Sequence, residues 1–185
     1  MRLLTLVPVV AVSFAALSGC KKDEPEPTYP TTPQPTATVT QTAPPASTVA
    51  TPVAASMAGP FLTGAITVAG TNDTKGMQPE GGTFAGQFQQ GQILEQNFQG
   101  EPGKCYTIVA MGGPGVSELD AQIVIQPAPM LPPTVLSQDN MTGPQATIGG
   151  GGNCVKNPSP VGVPAKVVLR VVTGSGIAGA QIFKK

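Results

Sequence analysis

Cys105-Tyr106-Thr107-Ile108-Val109-Ala110-Met111, entered through Glu101-Pro102-Gly103-Lys104 and left through Gly112-Gly113-Pro114-Gly115, decides the fold class. Its β-branched and aromatic side chains favour extended backbone, and the Pro/Gly clusters at both ends form turns, so the segment reads as a strand between two turns. Beyond the second turn, Leu119, Ala121, Ile123 and Ile125 alternate with Asp120, Gln122, Val124 and Gln126 as far as Pro127-Ala128-Pro129. Successive side chains of a strand point to opposite faces, so this period of two describes a strand with one face inward and the other in water.

The same period recurs on both sides of this pair. Leu94 and Phe98 lie opposite Glu95, Asn97 and Gln99, and Val167, Leu169 and Val171 lie opposite Lys166 and Arg170. Gly174-Ser175-Gly176 then leads into residues 177–183 and predicts a closing β-hairpin. Residues 134–137, 146–148 and 61–69 are candidates for further short strands, and no long segment carries helical periodicity. The reading is an all-β fold, an antiparallel β-sandwich of jelly-roll type, over residues 61–185.

Ahead of that domain the composition changes twice. Arg2 precedes an apolar run from Leu3 to Leu17, the layout of an export signal, and the run is too short to span a bilayer. Leu17-Ser18-Gly19-Cys20 closes it and resembles the lipobox of bacterial lipoproteins. That resemblance implies a signal peptide over residues 1–19, cleavage after Gly19, a diacylglyceryl thioether on Cys20, and acylation (typically palmitate) of the new amine. Cys20 is then the membrane anchor; an ordinary secretory peptide with a chance cysteine is the competing reading. Lys21 and Lys22 stand where Gram-negative lipoproteins retained at the inner membrane carry aspartate. The resemblance thus implies the outer membrane, while a solvated lysine spacer is compatible with either membrane. From residue 20 to residue 60 the chain is rich in Pro, Thr and Ala, as in Pro25-Glu26-Pro27-Thr28-Tyr29-Pro30. Such a segment has nothing to build a core from, and its prolines favour extended polyproline II, so it reads as a disordered, semi-rigid linker.

With Cys20 assigned to lipid, Cys105 and Cys154 remain, an even pair suited to a compartment that tolerates disulfides. Their pairing is expected, and closing a loop of roughly fifty residues is worth about 4 kcal/mol in the chain-entropy model. A zinc site is the alternative, but two isolated cysteines in a chain without histidine lack its ligand set. Gly103-Lys104-Cys105-Tyr106-Thr107, Gly115-Val116-Ser117-Glu118-Leu119-Asp120-Ala121 and Gln138-Asp139-Asn140, followed by the final strand pair, resemble the pre-peptidase C-terminal type of bacterial β-sandwich over about residues 90–183. That family implies a noncatalytic accessory module, sometimes used for matrix or carbohydrate attachment and sometimes stabilised by calcium. Here a leader and linker precede the sandwich where that family has a peptidase.

Several chemistries are excluded or weakened by residue type. Without histidine, Ser-His and Cys-His nucleophile activation and histidine-based zinc catalysis have no base or ligand. Gly174-Ser175-Gly176-Ile177-Ala178-Gly179 matches G-x-G-x-x-G, yet a dinucleotide fingerprint must open a helix, and these are turn glycines leading into a strand. Gly149-Gly150-Gly151-Gly152 is followed by Asn153-Cys154 rather than the Lys-Ser/Thr of a phosphate cradle and reads as a flexible loop. Glu118, Asp120 and Asp139 sit near turns or strand ends; they are the candidate calcium ligands or, failing that, a carboxylate pair, with solvated turn residues as the plain alternative. A sugar cleft is poorly supplied, since the chain has no Trp and only Tyr29 and Tyr106 as tyrosines. Removing Arg2 with the leader leaves nine basic against ten acidic side chains, so a nucleic-acid partner is not expected. The expectation is a noncatalytic, cofactor-free cell-envelope lipoprotein, held to the membrane by its lipid and presenting a β-sandwich for structural or protein-binding purposes. A carbohydrate- or calcium-binding accessory module is the alternative, with an envelope polysaccharide as its partner, and a carboxylate-only enzyme comes third.

Overall fold

The computed structural model describes residues 48–126 and 130–185; residues 1–47, with Cys20 and most of the Pro/Thr-rich segment, lie outside the described residues. The elements follow as β1 (Thr51–Val53), α1 (Ala55–Gly70), β2 (Gln78–Phe88), β3 (Ile93–Gly100), β4 (Cys105–Gly112), β5 (Val116–Ile125), β6 (Thr134–Gln138), β7 (Gln145–Ile148), β8 (Val155–Lys156), β9 (Val163–Gly174) and β10 (Gly176–Lys184). Two antiparallel sheets result, one ordered β1-β2-β10-β4-β7 with β8 also against β4, the other β3-β9-β5-β6. The long strands pair from the outside of the sequence inward: β2 with β10, β3 with β9, β4 with β7, and β5 with β6. This is one long hairpin rolled over on itself, the jelly-roll winding, and the β10–β4 and β9–β5 ladders close each sheet.

The alternation read from the sequence is what fills the sandwich. Leu119, Ala121 and Ile123 of β5, Val167, Leu169 and Val171 of β9, and Leu94 of β3 meet Tyr106, Ile108 and Ala110 of β4 and Ala178, Ala180 and Ile182 of β10 in one core. Glu95, Asn97, Gln99 and Arg170 face water. β4 is different, because both of its faces are covered. Val109 on its outer side packs with Leu62 and Ile66 of α1 and with Ala85 of β2. Residues 105–110 are therefore buried without alternation, and the run is correspondingly apolar throughout. Thr107 is the polar exception, and its hydroxyl donates to the Gly149 carbonyl at 2.9 Å. The Cys105–Cys154 disulfide, with Cα atoms 5.4 Å apart, ties the first residue of β4 to the segment entering β8.

Three expectations are corrected. Residues 61–69 belong to a helix, not a strand: Leu62 and Ile66, one turn apart, are buried on the sheet, and the hydroxyls of Thr67 and Thr71 donate to the carbonyls four residues earlier. The β-branched residues that suggested a strand are tolerated because the Thr67 hydroxyl is satisfied by that back-bonding and because burial of Leu62 and Ile66 on the sheet supplies the stability. The folded region includes residues 48–60 as well as 61–185, since the Ile93 amide donates to the Thr48 carbonyl at 2.9 Å and β1 pairs with β2. The last two strands do not form a hairpin: β9 and β10 lie in opposite sheets, and Gly174-Ser175-Gly176 carries the chain from one layer to the other. Gly174 adopts φ +92°, and a Cβ there would lie 2.1 Å from the Gly115 carbonyl oxygen in the neighbouring β4–β5 turn.

β2 is an element that the alternation does not announce. Its Gly81-Gly82 sits at a bulge against β10, where the Gln181 side-chain amide donates to the Gly81 and Ile182 carbonyls and its oxygen accepts from the Thr83 hydroxyl. Gly179, across the ladder from Ala85, is hemmed in by β2 and by α1: a Cβ there would lie 2.6 Å from the Phe84 carbonyl oxygen and 3.1 Å from Leu62.

Replacing both Cys105 and Cys154 by Ser is expected to lower unfolding free energy by about 4 kcal/mol, measured by urea titration. Gly174→Ala is expected to cost about 1–3 kcal/mol in the same assay, because the residue must keep a left-handed conformation against a backbone oxygen.

Candidate functional site

The three acidic candidates each have a place in the fold. Glu118 lies at an irregularity of the β5–β9 ladder, and its Oε2 accepts from the Gly143 amide at 2.6 Å. Asp139 follows β6, and its Oδ1 accepts from the Ala121 amide at 2.5 Å while its own amide donates to the Ala121 carbonyl. These two carboxylates pin the β6–β7 connection to the flank of β5. Asp120 stands between them in sequence but directly across the ladder from Arg170. Among the described residues, no three His, Cys, Asp or Glu side chains gather into a group that could hold a metal ion.

Asp139 is the electrostatically perturbed member of the set. Burial pushes its carboxyl above the usual range, the Ala121 amide opposes the shift, and the Asp120 charge adds to it. Its Oδ2 is buried without a hydrogen-bond partner. Because the folded-state value is raised, the protonated form favours folding. That contribution is full below the unfolded carboxylate range and is lost as pH rises through the folded value.

Tyr106, the aromatic candidate for a binding groove, is only 3% exposed. Its hydroxyl accepts from the Glu101 amide at 2.8 Å and donates to the Gln99 carbonyl at 3.1 Å, and its ring packs at 5.1 Å on Phe98. It buttresses the β3–β4 turn from inside, and burial raises its hydroxyl pKa. Nearby, Lys184 bridges Glu80 of β2 and Glu101 of that turn, at 2.7 Å to each. The Lys184 hydrogen bond holds the Glu101 carboxyl below its ordinary value. The glycine run at 149–152 is also held: the Gly151 amide donates to Asp73 Oδ1 at 2.6 Å. Gly174–Gly179 is the inter-sheet crossing and the start of β10, in keeping with turn glycines.

The interior offers a ligand little room. A crevice of about 10 Å³ beside Phe98, Tyr106 and Leu136 is close to the volume of one water. Larger concavities lie on the surface, one of about 380 Å³ beside Glu80, Thr83 and Gln96. A hollow of about 170 Å³ on the second sheet is lined by Glu95, Asn97, Val124 and Lys166, with Lys166 Nζ 2.7 Å from Glu95. A shallower one of about 570 Å³ lies along α1, lined by Pro60, Phe61, Gly64, Ala65, Val68 and Met111.

Sequence reasoning missed the α1 surface altogether. Met57, Phe61 and Val68 are large, apolar and exposed on a helix whose opposite side is buried. The signal was present: no charged residue occurs between Glu26 and Asp73, and Met57, Phe61 and Val68 follow one another at spacings of four and seven. No family model matches the chain, and no curated protein or solved structure shows significant similarity to it.

Asp139→Asn keeps an acceptor for the Ala121 amide and removes the buried charge. Its urea midpoint at neutral pH should equal or exceed that of the parent, with the difference closing as pH falls through the carboxylate range. Asp139→Ala removes the acceptor as well, and its midpoint should fall below that of the Asn variant by about 1 kcal/mol equivalent.

Proposed function

We propose that the chain is a noncatalytic lipoprotein of a bacterial cell envelope, anchored through acylated Cys20 in the outer membrane and presenting its jelly roll for structural or protein-binding purposes. The observation that carries this reading is the use of the cysteines. The Cys105–Cys154 bond consumes two of the three, which leaves Cys20 as the single remaining thiol, placed at the end of an apolar leader. A disulfide between neighbouring segments of one sheet also suits a protein that matures outside the cytosol.

The noncatalytic part rests on how the fold uses its polar side chains. Glu118 and Asp139 are committed to backbone amides, Tyr106 to the β3–β4 turn, and the chain has no histidine to act as a base. The resemblance to pre-peptidase C-terminal sandwiches agrees with an accessory role, and a polysaccharide would be taken at the polar hollow beside Asn97 and Lys166.

Mass spectrometry of the mature protein should find an N-terminal Cys20 carrying diacylglycerol and an acylated amine. Cys20→Ala should move the protein from the membrane to the soluble envelope fraction. An unmodified thiol, or a Cys20→Ala protein still in the membrane fraction, would overturn the reading.

A further inference from the structure

A surface helix of a globular fold turns one apolar stripe to the core and polar or charged residues to water. α1 has no charged residue, its polar side chains are only Ser56, Thr63 and Thr67, and large apolar side chains stand on its uncovered side as well as on its covered one. Leu62 and Ile66 are buried on the sheet, whereas Met57 is 80% exposed, Phe61 61% and Val68 77%. Gly64 and Ala65 lie between these three, and the surface runs on to Met111 of β4 without meeting a charged side chain.

We propose that this face of α1 docks on the bilayer itself, with Met57, Phe61 and Val68 entering the boundary between headgroups and acyl chains. The proposal rests on the lipid-anchor reading, since it needs the head to be tethered. Two observations favour a bilayer over a second copy of the chain. The stripe from Met57 to Val68 is roughly 16 Å long and one helix wide, about 10 Å. A patch of that size falls well short of the ~800 Å² per partner that a stable protein interface buries. The tether also matters. Residues 21–47 separate the anchor from Thr48, and Thr48 enters the fold only one short strand ahead of α1. Even fully extended, that segment keeps the head within about 95 Å of the membrane. Tethering of this kind raises the effective concentration to roughly the millimolar range, where a small apolar patch suffices. A protein partner diffusing freely in the envelope has no such assistance.

The absence of charge along α1 specifies the kind of surface. Interfacial helices that select anionic lipid do so with Lys and Arg. Docking through Met, Phe and Val alone should be indifferent to headgroup charge and to salt.

The chain contains no tryptophan, so Phe61→Trp supplies a single reporter at the centre of the face, and Met57→Trp a second one if the first fails to fold. The chain from Cys20 onward, with its disulfide formed, has one free thiol, through which it can be coupled to maleimide lipid in phosphatidylcholine vesicles. This tethers the head however cells treat Cys20; the mass of native Cys20 tests the anchor separately, so the two failures are distinguishable. The expected result is a blue-shifted reporter whose emission falls by roughly half when the acyl chains carry bromine, because the face sits only about 5–10 Å deep. Phosphatidylglycerol vesicles and high salt should give the same quenching. Met57→Asp combined with Val68→Asp should abolish it and leave the thermal midpoint unchanged. A reporter that bromine does not quench overturns the proposal: unshifted emission means the face stays in water, and a blue shift without quenching means that a second copy or the linker covers it.

Discussion

Coverage of β4 from two sides is the constraint on which the rest of the architecture depends. Tyr106, Ile108 and Ala110 require the opposing sheet, and Val109 requires α1, so neither layer can be withdrawn without exposing the central strand. Apolar area removed from water is the largest favourable contribution to folding, at about 25 cal/mol per Å², and this strand collects it on both faces. The polar groups trapped by that arrangement are matched locally. Thr107 reaches the Gly149 carbonyl, and Gln181 reaches the backbone of the β2 bulge. The disulfide starts from the first residue of the same strand, so covalent and noncovalent restraint coincide there.

Legibility followed period and chemistry. β5 and β9 were readable because Leu119/Ala121/Ile123 and Val167/Leu169/Val171 are buried on one face only, and the cysteine pair was readable by arithmetic. α1 was not, because Met57 and Phe61 on its outer side blur the period that Leu62 and Ile66 set on its inner side. β2 escaped because Gly81, Gly82 and Gly86 dilute the alternation; at Gly86 the space is tight, with the Thr51 carbonyl 3.1 Å from the place of a Cβ. The crossing at residues 174–176 could not be told from a hairpin. Two glycines around a serine serve either path, and only the competition of β2 and β4 for the edges of β10 settles it.

The candidate site showed the same division from the other direction. Residues that look chemical by type, namely Glu118, Asp139 and Tyr106, are spent on backbone amides and carbonyls. The residues left with nothing to contact on one side are plain ones, Met57, Phe61 and Val68, which no motif would flag. Type-based reading finds groups that can react; it does not find a surface whose distinction is that it lacks charge.

The nested winding has a consequence for how the molecule is made. β10 is inserted between β2 and β4, pairing Ala178 with both Gly86 and Gly112. A chain emerging amino end first therefore cannot complete its first sheet until its final strand arrives, and contacts of such long sequence separation form slowly. Premature closure during synthesis is thereby discouraged by topology alone, and the nascent chain stays open at one sheet until its carboxyl end is released.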